Sequence, residues 1–302
     1  MKPNRLIALA VTAGIAAAAV GTVACSKTSP SVTPSGTAGH TTTTQPPHPE
    51  SYSAQVVLPF DYDNHPTGVA VDTAGDVYVL DYYYGDVWEL APGTNALTKP
   101  FTHLGQSTQE AVDSGGTLYV VDSRGRRVLK LAPGANAPTV LPFTDLADPW
   151  AVAVDTAGNV YVTDGTNNQV LKLAPGATRS TALPFTDLKE PTGVAVDTGG
   201  NVYVTDLNSR RVLKLGAGAS SPIVLPFNDL RVPAGVAVDA GGNVYVADGG
   251  SNRVLKLAAG ASAPTVLPFT GLNGPGDLAV DTRGNVYVVD DDNFRVLKLP
   301  AQ

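Results

Sequence analysis

The stretch Gly193-Val194-Ala195-Val196-Asp197, Asn201-Val202-Tyr203-Val204-Thr205-Asp206, Arg211-Val212-Leu213-Lys214-Leu215 and Val224-Leu225-Pro226-Phe227 is one of six copies of the same phrase series. The aspartates ending the first phrase are Asp72, Asp113, Asp155, Asp197, Asp239 and Asp281; those ending the second are Asp81, Asp122, Asp164, Asp206, Asp248 and Asp290. Both series advance by 41 and then four times by 42 residues. Valine-rich alternation bounded by Gly, Asn, Asp and Pro marks short strands, and Gly and Asn supply left-handed turn geometry. Four strands per period near 40 residues make a propeller blade, which must bury its faces against its neighbours. The expected fold is therefore all-β, a six-bladed propeller of four-stranded antiparallel blades. In the representative copy the strands are expected at 193–196, 202–205, 211–215 and 223–227, with Pro226 on an outer edge that needs no donor.

The ends of the repeat are out of phase. It opens with an outer-strand phrase, Val56-Val57-Leu58-Pro59-Phe60, and stops after a third-strand phrase, Arg295-Val296-Leu297-Lys298-Leu299. The N-terminal strand is thus expected to complete the C-terminal sheet and close the ring.

Hydrophobic residues make up 43% of the 302-residue chain, enough for a core, and charged residues only 16%. The repeats occupy 55–302 as one domain. Residues 1–24 differ: Lys2 and Arg5 precede an uncharged run from Leu6 to Val20, and small residues follow up to Cys25. That order reads as a secretory signal, since about 15 apolar residues fall short of the roughly 20 that span a bilayer. Cys25 is the only cysteine, so no internal disulfide forms. Thr22-Val23-Ala24-Cys25 resembles a bacterial lipobox, with Thr22 where Leu, Val or Ile is usual; the resemblance implies lipidation at Cys25. Residues 25–54, rich in Ser, Thr, Pro and Gly, read as a disordered tether. The expected location is the outer face of the plasma membrane or the cell envelope, or secretion.

The run from Pro191 to Val212, and again from Pro233 to Val254, resembles the NHL repeat. Leu141-Pro142-Phe143-Thr144-Asp145-Leu146 and its counterparts at 183–188 and 267–272 are similar to connections in the extracellular sensor domains of mycobacterial receptor Ser/Thr kinases of the PknD type. The resemblance implies a six-bladed sensor propeller. It brings no kinase, because the sequence has no Gly-rich loop with a strand lysine, no His-Arg-Asp loop and no Asp-Phe-Gly.

Enzymatic six-bladed propellers, including metal-dependent lactonases and lyases, are the alternative. Metal chemistry needs converging ligands. Of four histidines, His40 and His48 lie in the tether, leaving His65 and His103 at equivalent connections. The twelve aspartates recur in every blade and read as turn-closing groups. Arg127, Arg211, Arg253 and Arg295 read as their partners, with Asp86 and Gln169 breaking the pattern. No cofactor and no metal site is expected.

Departures from the repeat are better functional candidates. The loop Asp81-Tyr82-Tyr83-Tyr84-Gly85-Asp86 is unique to the first blade, which also carries Trp88 and Glu89 where other blades have Leu and Lys. Trp150, Lys189, Glu190, Arg231, Asp291, Asp292 and Phe294 belong to loops on the same propeller face. Tyr82, Tyr83, Tyr84, Trp150, Arg231 and Phe294 form the candidate binding surface for a protein or a cell-wall glycan or peptide, with aromatic rings as the anchors. Glu110, beside Gln109, places a carboxyl in an inner strand, where it requires water, a basic partner or a metal; it is the candidate channel site. The net charge of −7 becomes −9 (18 basic against 27 acidic) once Lys2 and Arg5 leave with the signal. That excludes a nucleic-acid footprint. The leading expectation is a monomeric, noncatalytic recognition module.

Overall fold

The computed structural model describes residues 51–60 and 65–302. Six four-stranded antiparallel sheets follow in chain order. Blade 1 holds β2 (Pro66–Val71), β3 (Val77–Asp81), β4 (Val87–Leu90) and β5 (Leu97–Phe101). Blade 2 holds β6 (Ser107–Val112), β7 (Leu118–Asp122), β8 (Arg127–Leu131) and β9 (Thr139–Val140). Blade 3 holds β10 (Pro149–Val154), β11 (Val160–Asp164), β12 (Gln169–Leu173) and β13 (Thr181–Ala182). Blade 4 is β14 (Pro191–Val196), β15 (Val202–Asp206), β16 (Arg211–Leu215) and β17 (Ile223–Val224). Blade 5 is β18 (Pro233–Val238), β19 (Val244–Asp248), β20 (Arg253–Leu257) and β21 (Thr265–Val266). Blade 6 combines β22 (Pro275–Val280), β23 (Val286–Asp290) and β24 (Arg295–Leu299) with β1 (Val56–Val57).

In that last sheet Val56 pairs with Lys298 and Val57 with Leu297, and the Leu58 N–H donates to the Val296 carbonyl at 2.9 Å. Tyr52 bridges Ala301, and Ser53 N–H donates to the Pro300 carbonyl at 2.9 Å. The ordered ring therefore begins by Ser51, inside the stretch 25–54 read as tether. Residues 1–50, and with them the signal, Cys25 and most of that stretch, lie outside the described residues.

The core lies between blades. Ala195, Tyr203 and Val212 of blade 4 pack on Val236, Val244, Val246 and Leu255 of blade 5, and Phe227 and Leu230 from the connection fill the gap. Sandwiching on both faces explains why every residue of β15, including Asp206, is buried. The outer strand is shorter than the repeat suggests: β17 ends at Val224, and Phe227 N–H donates to the Leu225 carbonyl at 2.8 Å. Pro226 thus sits in a tight turn just beyond the strand, where proline's fixed φ is accommodated.

Each inner strand shifts register against its partner near its start, as between Pro191 and Val194. The bulge frees inner-strand N–H groups. Thr163 and Thr205 fill it in blades 3 and 4, accepting from the N–H of Ala151 at 3.0 Å and of Gly193 at 2.7 Å.

Candidate functional site

The repeated aspartates are fully engaged in holding the fold. Asp197 Oδ1 accepts from the N–H groups of Gly199 and Asn201, both at 2.9 Å; its Oδ2 accepts from Asn201 Nδ2 at 2.7 Å and the Tyr203 hydroxyl at 2.9 Å. Burial pushes the Asp197 carboxyl up, but hydrogen bonds from Asn201, Tyr203 and Gly199 outweigh it and hold the group below the usual carboxylate range. In blades 3 to 6 the second series ties the incoming connection to its blade: Asp248 Oδ1 accepts from the N–H groups of Arg231 at 2.9 Å and Val232 at 3.0 Å. Its Oδ2 pairs with Arg253 Nε at 3.0 Å, and Asp122, Asp206 and Asp290 pair likewise with Arg127, Arg211 and Arg295. Blade 1 inverts the charge. Asp86 stands in the arginine position, and Lys99 from β5 reaches it at 2.7 Å while lying 3.9 Å over the Trp88 ring.

The aromatic loop of blade 1 meets the equivalent loop of blade 6. Asp81 Oδ1 holds it in place by accepting from the N–H groups of Tyr83 at 2.8 Å and Tyr84 at 3.3 Å. His65 is the hub: its ring lies 6.1 Å from Tyr82, 5.5 Å from Tyr83 and 5.0 Å from Phe294, and its Nδ1 stands 3.4 Å from Asp291 Oδ1. Burial, with Asp292 and Asp290 nearby, raises the Asp291 carboxyl despite the opposing pull of His65. Tyr83, Tyr84 and Phe294 remain 59%, 62% and 45% exposed, whereas Tyr82 is half-buried against Tyr83. The hub role of His65 had no signal in the sequence, because only the closed ring sets residue 65 beside residue 294.

Trp150 and Arg231 stand in other seams. Trp150 donates its Nε1–H to Asp148 Oδ2 at 3.1 Å and lies over Gly165, where a Cβ would meet the ring at 2.9 Å. Arg231 is exposed beside Gly250. Among the described residues neither touches the His65 cluster. His103 is exposed and donates its backbone N–H to Asp86 Oδ1 at 3.0 Å.

Glu110 is 3% exposed, and neither carboxyl oxygen has a hydrogen-bond partner. Burial, then the charge of Asp277, drives its pKa well above the ordinary value. The side chain reaches across to blade 1, occupying space that a Cβ at Gly68 would take. Asp277 itself is bridged across the channel. Its Oδ1 accepts from Gln109 Nε2 at 2.7 Å and its Oδ2 from Val69 N–H at 3.1 Å, while Gln109 Oε1 accepts from Val152 N–H at 2.9 Å. Burial pushes Asp277 up to about 6, with Val69 and Gln109 opposing. Side chains thereby link blades 6, 1, 2 and 3.

A closed ring of four-stranded blades, with structural charges inside each blade and variable loops on one face, defines a six-bladed β-propeller. Four of its repeats match the NHL repeat, at residues 146–173, 188–215, 230–257 and 272–299. No curated protein matches the chain. Solved structures similar to it include a gluconolactonase from Xanthomonas campestris, with 15% identity and a TM-score of 0.70, covering 82% of this chain and 89% of that one. Virginiamycin B lyase from Staphylococcus aureus is 13% identical with a TM-score of 0.62, covering 83% and 99%. A nidogen/laminin complex is 22% identical with a TM-score of 0.61, covering 67% and 79%. Such likenesses show the fold alone.

Proposed function

We propose that this propeller is a noncatalytic recognition module that binds a protein or glycan ligand of the cell envelope through its loop face. The observation that carries this reading is the aromatic patch of Tyr83, Tyr84 and Phe294, exposed on two blades and held by His65 and Asp81. Exposed apolar rings fixed by surrounding polar contacts are the anchors that binding surfaces use, because little side-chain entropy remains to be lost. In this proposal Cys25 carries a lipid, the Ser/Thr/Pro stretch is a spacer, and the ring works as a monomer on the outer face of the membrane. The sensor-domain resemblance supports the same role. Cross-linking pull-down from intact cells, wild type against Tyr82, Tyr83 and Tyr84 changed to serine, tests it. Loss of the partner is expected; equal recovery refutes the aromatic patch.

A second reading, a lactonase- or lyase-type enzyme with a channel site, is favoured by the unpartnered buried carboxyl of Glu110 and by the enzymes among the similar folds. The donor set does not fit a metal: among the described residues no group of three His, Cys, Asp or Glu side chains comes together to hold one. Elemental analysis of purified protein checks this reading, and stoichiometric Ca²⁺ or Zn²⁺ would move the conclusion to the enzyme.

A further inference from the structure

The seam between blades 3 and 4 opens, on the same loop face, into a cavity of about 470 Å³, within the range of small-ligand sites. Asp148, Gly165, Thr166 and Asn168 line one side, and Lys189, Glu190 and Asn208 the other. Three charged side chains thus share one cavity, yet no ion pair joins the Lys189 ammonium to either carboxylate. Each carboxylate is instead positioned by a neutral donor. Asp148 Oδ2 accepts from Trp150 Nε1 at 3.1 Å, and Glu190 Oε2 accepts from Asn208 Nδ2 at 2.6 Å. One oxygen of each carboxylate, the Lys189 ammonium and the Thr166 hydroxyl are left for a ligand.

The backbone adds a second observation. Glu190 holds φ at 63°, a left-handed conformation that is unfavourable for a residue bearing a side chain. Two blades later the same position is Gly274, with φ at 61°. Both N–H groups are tied alike, to Asn168 Oδ1 at 2.7 Å and to Asn252 Oδ1 at 2.9 Å. In these two blades, where an asparagine oxygen holds this N–H, the backbone is left-handed, and blade 4 places a glutamate where blade 6 has a glycine. At the next seam Val232 and Arg231 pack directly over Gly250, the counterpart of Asn208.

We infer that the blade 3–4 seam is a saccharide-binding site for a neutral, polyhydroxylated ligand of about two sugar units. Oriented carboxylates accept from sugar hydroxyls, and Lys189 and Asn168 donate to ring and hydroxyl oxygens. The site stands apart from the aromatic patch and does not depend on it.

The variant Glu190→Gly separates binding from folding, since it removes the carboxylate and relieves the left-handed strain. Cellobiose and N,N′-diacetylchitobiose serve as probes in saturation-transfer NMR and titration calorimetry on the purified chain. Wild type is expected to bind at least one with a Kd at or below about 1 mM. Glu190→Gly and Lys189→Ala should each weaken it at least about tenfold, with the melting temperature unchanged or, for Glu190→Gly, raised. Tyr83→Ser with Tyr84→Ser should leave sugar binding intact. No binding of either disaccharide by wild type overturns the inference. So does undiminished binding in Glu190→Gly and Lys189→Ala.

Discussion

Replacing Glu110 with valine should make this protein more stable, and increasingly so as pH rises. The other blades carry Val69, Val152, Val194, Val236 and Leu278 at this inner-strand position, all buried. A buried polar group without a partner costs about 1–3 kcal/mol. The shorter side chain forfeits about 1 kcal/mol of packing, so the net gain at neutral pH is up to about 2 kcal/mol. For a ring of this size that is about 4–8 °C in melting temperature, at about 2–4 °C per kcal/mol. The pH dependence follows from the raised carboxyl. Because the folded pKa lies above the unfolded one, Glu110's favourable contribution is full below the ordinary value of 4.5 and is lost as pH climbs through the folded value. Asp277 adds its own slope: a rise from 3.8 to about 6 corresponds to about 3 kcal/mol lost over that window. Calorimetric melts between about pH 4 and pH 8 should therefore show wild-type stability falling with pH and the variant falling less. A variant that melts below wild type throughout, or a difference that does not grow with pH, would refute the account of Glu110 as a buried, unpartnered acid whose pKa the fold raises.

On the acid side the sign reverses, because burial raises Asp155 and Asp197 less than their hydrogen bonds lower them. Their contribution is present above the ordinary carboxylate value and lost as pH falls through the depressed one, so melts in the pH 2–4 range should drop, and Asp197→Asn should flatten that limb. Deleting residues 51–60 removes β1 and the Tyr52 bridge to Ala301; blade 6 should then exchange its amide hydrogens faster than blades 3 to 5, read by hydrogen-exchange mass spectrometry. Arg253→Met strands the buried Asp248 carboxylate and should cost about 2–4 kcal/mol in urea melts. Arg253→Gln should cost about 1 kcal/mol or less, since Gln169 already serves Asp164 that way at 3.4 Å in blade 3.

The fold was legible because each blade repeats the same local chemistry: Asp at the turn, valines alternating, an arginine returning to the second aspartate. The period alone set blade number, strand order and the phase difference at the ends. Strand length was less legible. Leu225-Pro226-Phe227 continues the apolar pattern of β17, but Pro226 cannot keep the ladder going, and the segment turns into the gap between blades. The candidate site was legible only as parts. Tyr82, Tyr83 and Phe294 could each be picked out as departures from the repeat, yet their meeting at His65 depends on ring closure across more than 200 residues. Trp150 and Arg231, chosen on the same grounds, belong to different seams. The Gln109–Asp277 bridge joins residues 168 apart in sequence, and no local pattern announces that pairing.

A departure from the repeat carries functional weight only when the fold does not answer it elsewhere. Asp86 replaces an arginine, but Lys99 replaces the lost charge and stacks on Trp88, so the change is a rearranged version of the same tie between strands. Gln109 departs too, and Asp277 and Val152 N–H give both of its amide atoms a partner. Tyr83, Tyr84 and Phe294 have no such answer: they stay exposed although the loops bearing them are ordered. Glu190 is answered only in part: Asn168 takes its N–H and Asn208 its carboxylate, yet the left-handed backbone is retained where blade 6 has Gly274. Stability alone would remove both features, because serine suffices at the exposed positions and glycine at the strained one. Their presence is what an interaction with something outside the ring would maintain, and under the proposed function the recognition work falls to the two seams that bear them, blades 6–1 and blades 3–4, and not to the twelve aspartates that dominate the sequence.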